Sequence, residues 1–494
     1  MKVLGITAEY DPFHNGHSYQ LQAAKIASGA EYVVAIMSGY FTQRGEMALL
    51  DKWTRAEMAA KSGVDLVLEL PFVYATHSAE GFAAGAVAMM DALGCITDIS
   101  FGMECEDTHR LQQLADLLVE EPKVYKDKIR GFLDEGRSFP KARQLAVEEL
   151  LGPWAGEEIV KPNNILAIEY MKALTKTGAK GIEFSGKDRQ VPERNFTIGK
   201  GLYDVDPALL EDDDNRLNTA KPKPFTVHGI MRRGVAHNEE SSVFNADSVD
   251  ETYIEYGQNV KSQEKEFVSA SAIRQAVTEN RRLQKELAAA TVTAEGYQQA
   301  EASRMALVQG LYKTMPKAAA DILTEKWQLT PAGDAHWPFT RSRILQSSED
   351  KLEAIEGVTE GLENRIKMFQ RGPAAYGQFV DAVRSARFTK TAARRILLHI
   401  LLGETKEDAQ LSPEYLRILA ANEKGRELLK EIKFEECNKI PVLTNINKSP
   451  LVKTSRLLQL DMLAADMYNL AAGRDLYRCS ERVATPWIQQ EEIY

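Results

Sequence analysis

Residues 5–17 are Gly5-Ile6-Thr7-Ala8-Glu9-Tyr10-Asp11-Pro12-Phe13-His14-Asn15-Gly16-His17. The apolar start predicts a strand, the Asp11-Pro12 pair a turn, and the residues from His14 onward the start of a helix. His14 and His17 are three positions apart on the first helical turn, so their rings point the same way. Because a helix N-terminus favours anions, we expect the two rings to hold the phosphates of a nucleotide. Gly16 lets the nucleotide approach the backbone closely.

Strand and helix patterns alternate over the first hundred residues. The strand candidates are Lys2–Thr7, Tyr32–Met37, Asp65–Leu70 and Ile96–Phe101, and the helix candidates are His17–Ala27, Lys52–Lys61 and Ser78–Leu93. This order predicts right-handed βαβ units and a parallel sheet covered on both faces. Ligands of such sheets bind at the carboxyl ends of the strands.

The pattern changes in the second half of the chain. After Ala276 it is helical almost throughout, Ser412-Pro413-Glu414 indicates a helix start, and Gly425 indicates a helix end. We therefore predict an α/β domain over residues 1–285, followed by an all-α C-terminal domain over residues 286–494. A weak pattern rich in acids and prolines predicts an insertion near residues 183–223.

Composition excludes several classes of protein. The chain has 494 residues, of which 44% are hydrophobic and 27% charged, which is typical of a soluble globular protein and not of a disordered or collagenous one. No apolar run is long enough to span a membrane, and the N-terminus lacks the features of a signal peptide. The four cysteines are scattered and form no zinc-ligand pattern. We expect a cytoplasmic protein without a metal site of its own.

A second motif strengthens the interpretation of the first. Residues 267–274, Phe-Val-Ser-Ala-Ser-Ala-Ile-Arg, have the form SxSxxR, with hydroxyl donors at Ser269 and Ser271 and a permanently charged fork at Arg274. Each motif alone fits an ordinary capped helix start, but together they favour a site that transfers a nucleotidyl group. We therefore assign His14, His17 and Arg274 as catalytic residues.

One stretch is strongly basic although the whole chain has a net charge of −10. Residues 365–395 contain eight basic residues and one acid, Asp381, a local balance of +7. This density is typical of a surface that binds nucleic-acid phosphates. The alternative is a solvated helix face whose charges are balanced by acids elsewhere. We expect tRNA to bind here, and adenylation without tRNA not to need these side chains. The predicted tRNA-binding residues are Arg384, Arg387, Lys390, Arg394 and Arg395.

With these motifs the chain resembles the bacterial tRNA(Met) cytidine acetate ligase family of HxGH nucleotidyltransferases, through most of its length. The resemblance is carried by segments EYDPFHNGH, MSGYFTQRGE, DKWTRAEMA, GVDLVLELPF, SAEGFA, FGME, NNILAIEY, SASAIR, GLENRIK, RRILLHILLG and EYLRILAANEKGRELL. It implies a Rossmann-like nucleotidyltransferase domain. It also implies activation of acetate by ATP to acetyl-adenylate, and acetylation of N4 of the wobble cytidine in elongator tRNA(Met).

The resemblance further implies which residues contact ATP. These are Thr7, Ala8, Glu9, Tyr10, Asp11, Pro12, Phe13, His14, Asn15, Gly16, His17, Gly102, Asn164 and Arg232, with Ser269 and Ser271 of the second motif. Asn163 is the alternative to its neighbour Asn164. Arg233 and Arg189 are the alternatives to Arg232, because the spacing to the asparagine is longer here than in the family.

Two other functions stay open on the sequence alone. The first is a nucleotidyltransferase of the same superfamily that acts on a small metabolite without RNA. The second is an RNA-binding protein with a vestigial nucleotide site. We expect Mg²⁺ to arrive with the triphosphate, and we predict no protein partner and no contact with a membrane.

Overall fold

The computed structural model describes residues 1–105, 107–176, 183–184, 225–231, 242–244, 266–289, 294–385 and 388–490. The strands in these residues are β1 Val3–Ala8, β2 Tyr32–Ser38, β3 Leu66–Leu70, β4 Asp98–Met103, β5 Glu183–Phe184, β6 Thr226–Met231, β7 Leu416–Ala421, β8 Val442–Leu443 and β9 Trp487–Ile488. Within the same residues, no helix has the length and apolarity needed to cross a membrane.

Helices cover most of the remaining described chain. In the first half they are α1 Asn15–Ser28, α2 Lys52–Lys61, α3 Phe72–Ala75, α4 Ala79–Leu93, α5 Thr108–Glu120, α6 Lys123–Asp134, α7 Phe139–Leu151, α8 Pro153–Glu158 and α9 Pro162–Lys176. In the second half they are α10 Ala270–Ala289, α11 Ala294–Thr314, α12 Lys317–Lys326, α13 Trp337–Gln346, α14 Glu349–Glu353, α15 Leu362–Phe369, α16 Tyr376–Val383, α17 Lys390–Leu402, α18 Glu423–Glu435, α19 Leu451–Thr454 and α20 Arg456–Ala471.

One sheet organises the molecule, with the strand order β5-β6-β4-β1-β2-β3-β7-β8 and β9 beside β7. Strands β1 to β6 are parallel to one another, with Val3 opposite Tyr32 and Ala8 opposite Met37, whereas β7 is antiparallel to β3. The carboxyl ends of these strands therefore meet at one edge, where ligands of parallel sheets bind. The prediction of an α/β fold with a parallel sheet is confirmed.

Alternating side chains fill two apolar clusters, one on each face of this sheet. Val34 and Ile36 point into one cluster, and Val33, Ala35 and Met37 point into the other. Such alternation follows from the two-residue period of a strand. Helices of both halves of the chain pack in these clusters, so burial of apolar surface joins the second half directly to the sheet.

The second half is mainly helical, as predicted, but it also contributes β7, β8 and β9. The predicted helix start at Ser412-Pro413-Glu414 is wrong, because β7 follows these residues and is buried along its whole length against β3. Gly425 does not end a helix either. It lies in the first turn of α18, where a Cβ would come within 2.0 Å of the Asp65 carbonyl oxygen. At both positions, tertiary packing and not the local sequence decides the secondary structure.

The predicted domain boundary between residues 285 and 286 lies inside α10, whose Ile273 and Val277 pack in an apolar cluster on the sheet. The division into two domains stays a prediction. The predicted insertion near residues 183–223 lies outside the described residues, apart from β5.

Candidate active site

The turn between β1 and α1 begins the site at the carboxyl edge of the sheet. His14 is the N-cap of α1, and its Nδ1 accepts a hydrogen bond from the Gly16 N–H at 3.0 Å. The Nδ1 of His17 accepts from the His14 N–H at 3.3 Å, and the two rings stack with their centroids 3.8 Å apart. Since each Nδ1 is an acceptor, a neutral ring carries its hydrogen on Nε2. Both histidines are thereby set as Nε2–H donors.

Gly16 has a role within the turn that the sequence interpretation did not include. A Cβ at this position would come within 2.8 Å of Cε1 and 3.0 Å of Nδ1 of His14. Any larger residue would therefore displace the ring that caps the helix. Whether a nucleotide also approaches the backbone here stays a prediction.

The second motif meets this turn. Arg274 donates to the Asp11 carbonyl oxygen at 2.8 Å, across 263 positions of sequence, and to the Ser271 hydroxyl at 3.2 Å. The hydroxyl of Ser269 accepts from the Ala272 N–H at 3.2 Å, so this serine caps α10. The cap of α10 and the arginine contact therefore occur together, and the structure places Arg274 against the turn that leads into His14 and His17.

Asn15 joins the same two segments. Its side-chain amide donates to the Glu266 carbonyl oxygen at 3.0 Å and to the Lys313 carbonyl oxygen at 2.8 Å. Asn15 is buried, so these bonds are protected from water. The start of the SxSxxR segment is thus fixed to the first turn of α1.

Two further side chains hold the loop that follows β2 against the turn. Glu9 is half-buried and accepts from the Gln43 N–H at 2.7 Å. Burial raises the pKa of the Glu9 carboxyl above its usual range, and neighbouring Asp11 adds to the rise. Arg55 is fully buried and donates to the carbonyl oxygens of Glu9, Ser38 and Leu50. It thereby satisfies the backbone where β1 and β2 end.

Asn164 lies in the wall behind the end of β4. It is fully buried, and its Oδ1 accepts from the N–H groups of Glu104 at 2.8 Å and Cys105 at 3.2 Å. Asn163 is half-buried and donates to the Glu104 carboxylate. Gly102 is on β4 just before this segment. The asparagines therefore shape the chain after β4, and their contacts with ATP stay predictions.

Two predicted tRNA-binding residues on α17 face the loop after β2. Arg394 forms an ion pair with Glu46, and Arg395 donates to the Gln43 carbonyl oxygen at 3.2 Å. Burial lowers the pKa of Arg395 to about 10. Gly45, with a φ of 74°, lets the loop approach this helix closely. A Cβ at this position would come within 2.6 Å of the backbone nitrogen of Arg395.

The remaining predicted RNA contacts are more open. Arg384 and Lys390 are exposed, and Lys390 lies 3.6 Å from the carboxylate of Asp381. Arg387 lies outside the described residues, as do Arg189, Arg232 and Arg233. Binding of tRNA by this surface stays a prediction.

The chain is similar to known proteins over most of its length. The sequence profile of the HIGH nucleotidyl transferases matches residues 1–191 and 236–481. The tRNA(Met) cytidine acetate ligase of Thermoanaerobacter sp. (strain X514) is 33% identical over 95% of this chain and 96% of its own length. That of Acetivibrio thermocellus is 32% identical over 97% of both chains.

The chain belongs to the tRNA(Met) cytidine acetate ligase family. A solved structure agrees with this: TmcAL of Thermotoga maritima, crystallised with alpha-thio ATP, superposes with a TM-score of 0.72. It is 29% identical, and the match covers 99% of this chain and 100% of that one.

Sequence reasoning missed three residues of the site in this member of the tRNA(Met) cytidine acetate ligase family. Gln43, Glu46 and Arg55 lie outside the two motifs, and from sequence alone a solvated loop or helix face explains such polar and charged residues equally well. Their partners are backbone groups or side chains far away in sequence, and no local pattern signals such contacts. In the structure, these three residues hold the loop after β2 in place beside the turn.

Proposed function

We propose that this protein is an ATP-dependent acetate ligase that acetylates N4 of the wobble cytidine in elongator tRNA(Met). The proposal is carried by the stacked pair His14 and His17 and by Arg274, which is bonded to the same turn at the carboxyl edge of the sheet, in a chain of this family. The named relatives support the substrate. The nucleotide supported by the Thermotoga maritima structure is ATP.

The first step forms acetyl-adenylate. One acetate oxygen attacks the α-phosphorus of ATP, the bond from that phosphorus to the β-phosphate oxygen breaks, and pyrophosphate leaves with its electron pair. His14 and His17 donate from Nε2, and Arg274 adds a positive charge, where negative charge grows on the leaving group. The N-terminus of α1 adds its own partial positive charge there. No covalent bond to the protein is needed.

The second step transfers the acetyl group. The exocyclic amine of a flipped-out cytidine attacks the acetyl carbonyl carbon, AMP leaves, and the new amide nitrogen loses one proton. The adenylate stays in the cleft, so that the attack becomes effectively intramolecular. We place the enzyme in the cytoplasm because its proposed substrates, tRNA and ATP, are there.

Magnesium enters this proposal as the counter-ion of the triphosphate. The described residues contain no group of three or more histidine, cysteine or carboxylate side chains able to hold a metal ion. In the turn, Asp11 accepts from the Leu49 N–H at 2.7 Å and Glu9 from the Gln43 N–H. The phosphate oxygens would therefore supply most of the ligands, which is common for Mg²⁺.

An incubation with labelled acetate, ATP and tRNA tests the proposed function against its alternatives. We expect acetylated cytidine in tRNA(Met), with AMP and pyrophosphate as products. Nucleotide transfer to a metabolite without RNA, or tRNA binding without AMP formation, would contradict it. Replacing acetate and ATP by acetyl-coenzyme A should give no product, because an activated thioester has no use for a site that stabilises a leaving pyrophosphate.

A further inference from the structure

Glu46 lies between two arginines that come from different parts of the chain. Its Oε2 is 3.9 Å from a terminal nitrogen of Arg274, and its Oε1 forms the ion pair with Arg394. All three side chains are half-buried. One carboxylate thus joins the arginine of the SxSxxR motif to helix α17.

The loop that carries Glu46 is well fixed. The Thr42 N–H donates to the Glu46 carbonyl oxygen at 3.0 Å, and the Gly45 N–H donates to the Thr42 carbonyl oxygen at 2.9 Å. On one side Gln43 bonds to Glu9, and on the other side Arg395 bonds to Gln43. The Glu46 carboxylate therefore has a defined position relative to both Arg274 and α17.

We infer that Glu46 is a positioning residue for adenylation, which orients the Arg274 guanidinium, and that Arg394 is the counter-ion that makes this possible. The inference rests on the proposed function. It departs from our expectation that adenylation without tRNA does not need Arg394. That arginine would serve the first chemical step even if it also contacts RNA.

Charge explains why both partners are required. Arg274 already lies 3.6 Å from the carboxylate of Asp11. Glu46 is a second carboxylate beside it, and without a counter-ion of its own it would repel the triphosphate. With Arg394, the two arginines and the two carboxylates carry no net charge, whereas without it they would carry a net charge of −1. Arg394 therefore lets Glu46 orient Arg274 without making the site negative. Groups held in place in advance stabilise a transition state more than groups that must reorganise.

Acetate-dependent exchange of labelled pyrophosphate into ATP, without tRNA, tests the inference. We expect Glu46→Gln to lower kcat of exchange roughly ten- to hundredfold, the size of effect caused by a misplaced catalytic group. The KM for ATP should change less. Glu57→Gln is the matched control, because Glu57 is also in an ion pair, with Lys61 at 2.8 Å, but lies on α2. It should exchange like the parent.

Variants of the counter-ion complete the test. Arg394→Ala should lower kcat of exchange in the same way, and Arg394→Lys should restore part of it. The double variant Glu46→Gln with Arg394→Ala should lower kcat of exchange by less than the product of the two single effects, because both residues act through Arg274. Arg282→Ala is the control, since Arg282 forms its ion pairs on the exposed face of α10.

The possible outcomes separate the two proposals. If the parent shows no acetate-dependent exchange, the proposed function fails. If the parent exchanges and folded Glu46→Gln and Arg394→Ala proteins exchange equally well, the positioning role is overturned. If Glu46→Gln does not fold, Glu46→Asp replaces it, because aspartate keeps the negative charge but has a side chain shorter by one methylene group. An unchanged kcat of exchange in Glu46→Asp would then overturn the positioning role of Glu46.

Discussion

The turn before α1 and helix α17 both present cationic or proton-donating groups beside the loop that follows β2, but the two elements hold these groups differently. His14 and His17 are oriented by backbone groups within three positions of sequence. Arg394 and Arg395 find partners 348 and 352 positions away. A motif with local partners keeps its geometry wherever it occurs. The role of a charged helix face depends on what the rest of the chain places against it.

This difference changes the meaning of the basic stretch at residues 365–395. Arg365 donates to the Ala382 carbonyl oxygen at 2.7 Å, and Lys367 donates to the Ser347 carbonyl oxygen at 2.9 Å. Together with Arg394 and Arg395, these side chains support the protein itself. Among the described residues of the stretch, the exposed cations are Arg371, Arg384 and Lys390.

The largest expected effect concerns the turn. His17→Ala should lower adenylation roughly a hundred- to a thousandfold, the usual loss when one preorganised donor to a transition state is removed. The affinity for tRNA should hardly change. Acetate-dependent pyrophosphate exchange measures the first quantity and filter binding the second. His109→Ala, at an exposed histidine of α5, is the control, and a folded His17→Ala protein with parental exchange would refute the site.

A smaller effect tests the contact between the loop and α17. Gly45 and Gly29 have similar positive φ angles of 74° and 63°, but a Cβ at Gly29 would meet nothing within 4 Å. Gly29→Ala should cost only the backbone strain, about 1 kcal/mol of unfolding free energy. Gly45→Ala should cost about 1–3 kcal/mol more, because the methyl group enters a filled space.

Urea unfolding of the two glycine variants measures this difference. Equal losses of stability would mean that the loop is not packed against α17 in solution. The Gly45→Ala protein should also show slower pyrophosphate exchange, because the loop carries Glu46.

The smallest effect concerns the exposed cations. Arg384→Ala combined with Lys390→Ala should weaken tRNA binding and flatten its salt dependence, by roughly 0.7 to 0.9 in the log–log slope for each lost phosphate contact. Exchange without tRNA should be unaffected. Binding measured from low to moderate salt provides the slope. A slope identical to that of the parent would show that RNA lies elsewhere and that this face is only solvated.

The first four strands and the helices α1, α2 and α4 could be predicted from sequence within a few residues, whereas the short α3 was not predicted. Their apolar runs and helix-start residues are local signals, and Asp51 and Ser78 indeed cap α2 and α4. The strand β7 could not be predicted in this way. Its apolar residues suit a helix as well as a strand, and pairing with β3 decides between the two.

The residues of the candidate site also fall into two groups, those that the sequence predicts and those that it does not. The motif residues could be located because their spacing sets the direction of the side chains on a helical turn. Glu46 and Arg55 could not be located, because their function lies in contacts with distant segments. Net charge over a stretch also cannot show which arginines are already paired.

The central claim is that acetate attacks the α-phosphorus of ATP at this site. Acetate labelled with ¹⁸O in both oxygens tests it most directly, because the oxygen that forms the new bond remains on AMP after the acetyl group leaves. We predict one ¹⁸O atom in each AMP formed during modification of tRNA(Met), measured by mass spectrometry, and none in phosphate. Unlabelled AMP, or label in inorganic phosphate with ADP as product, would contradict the account.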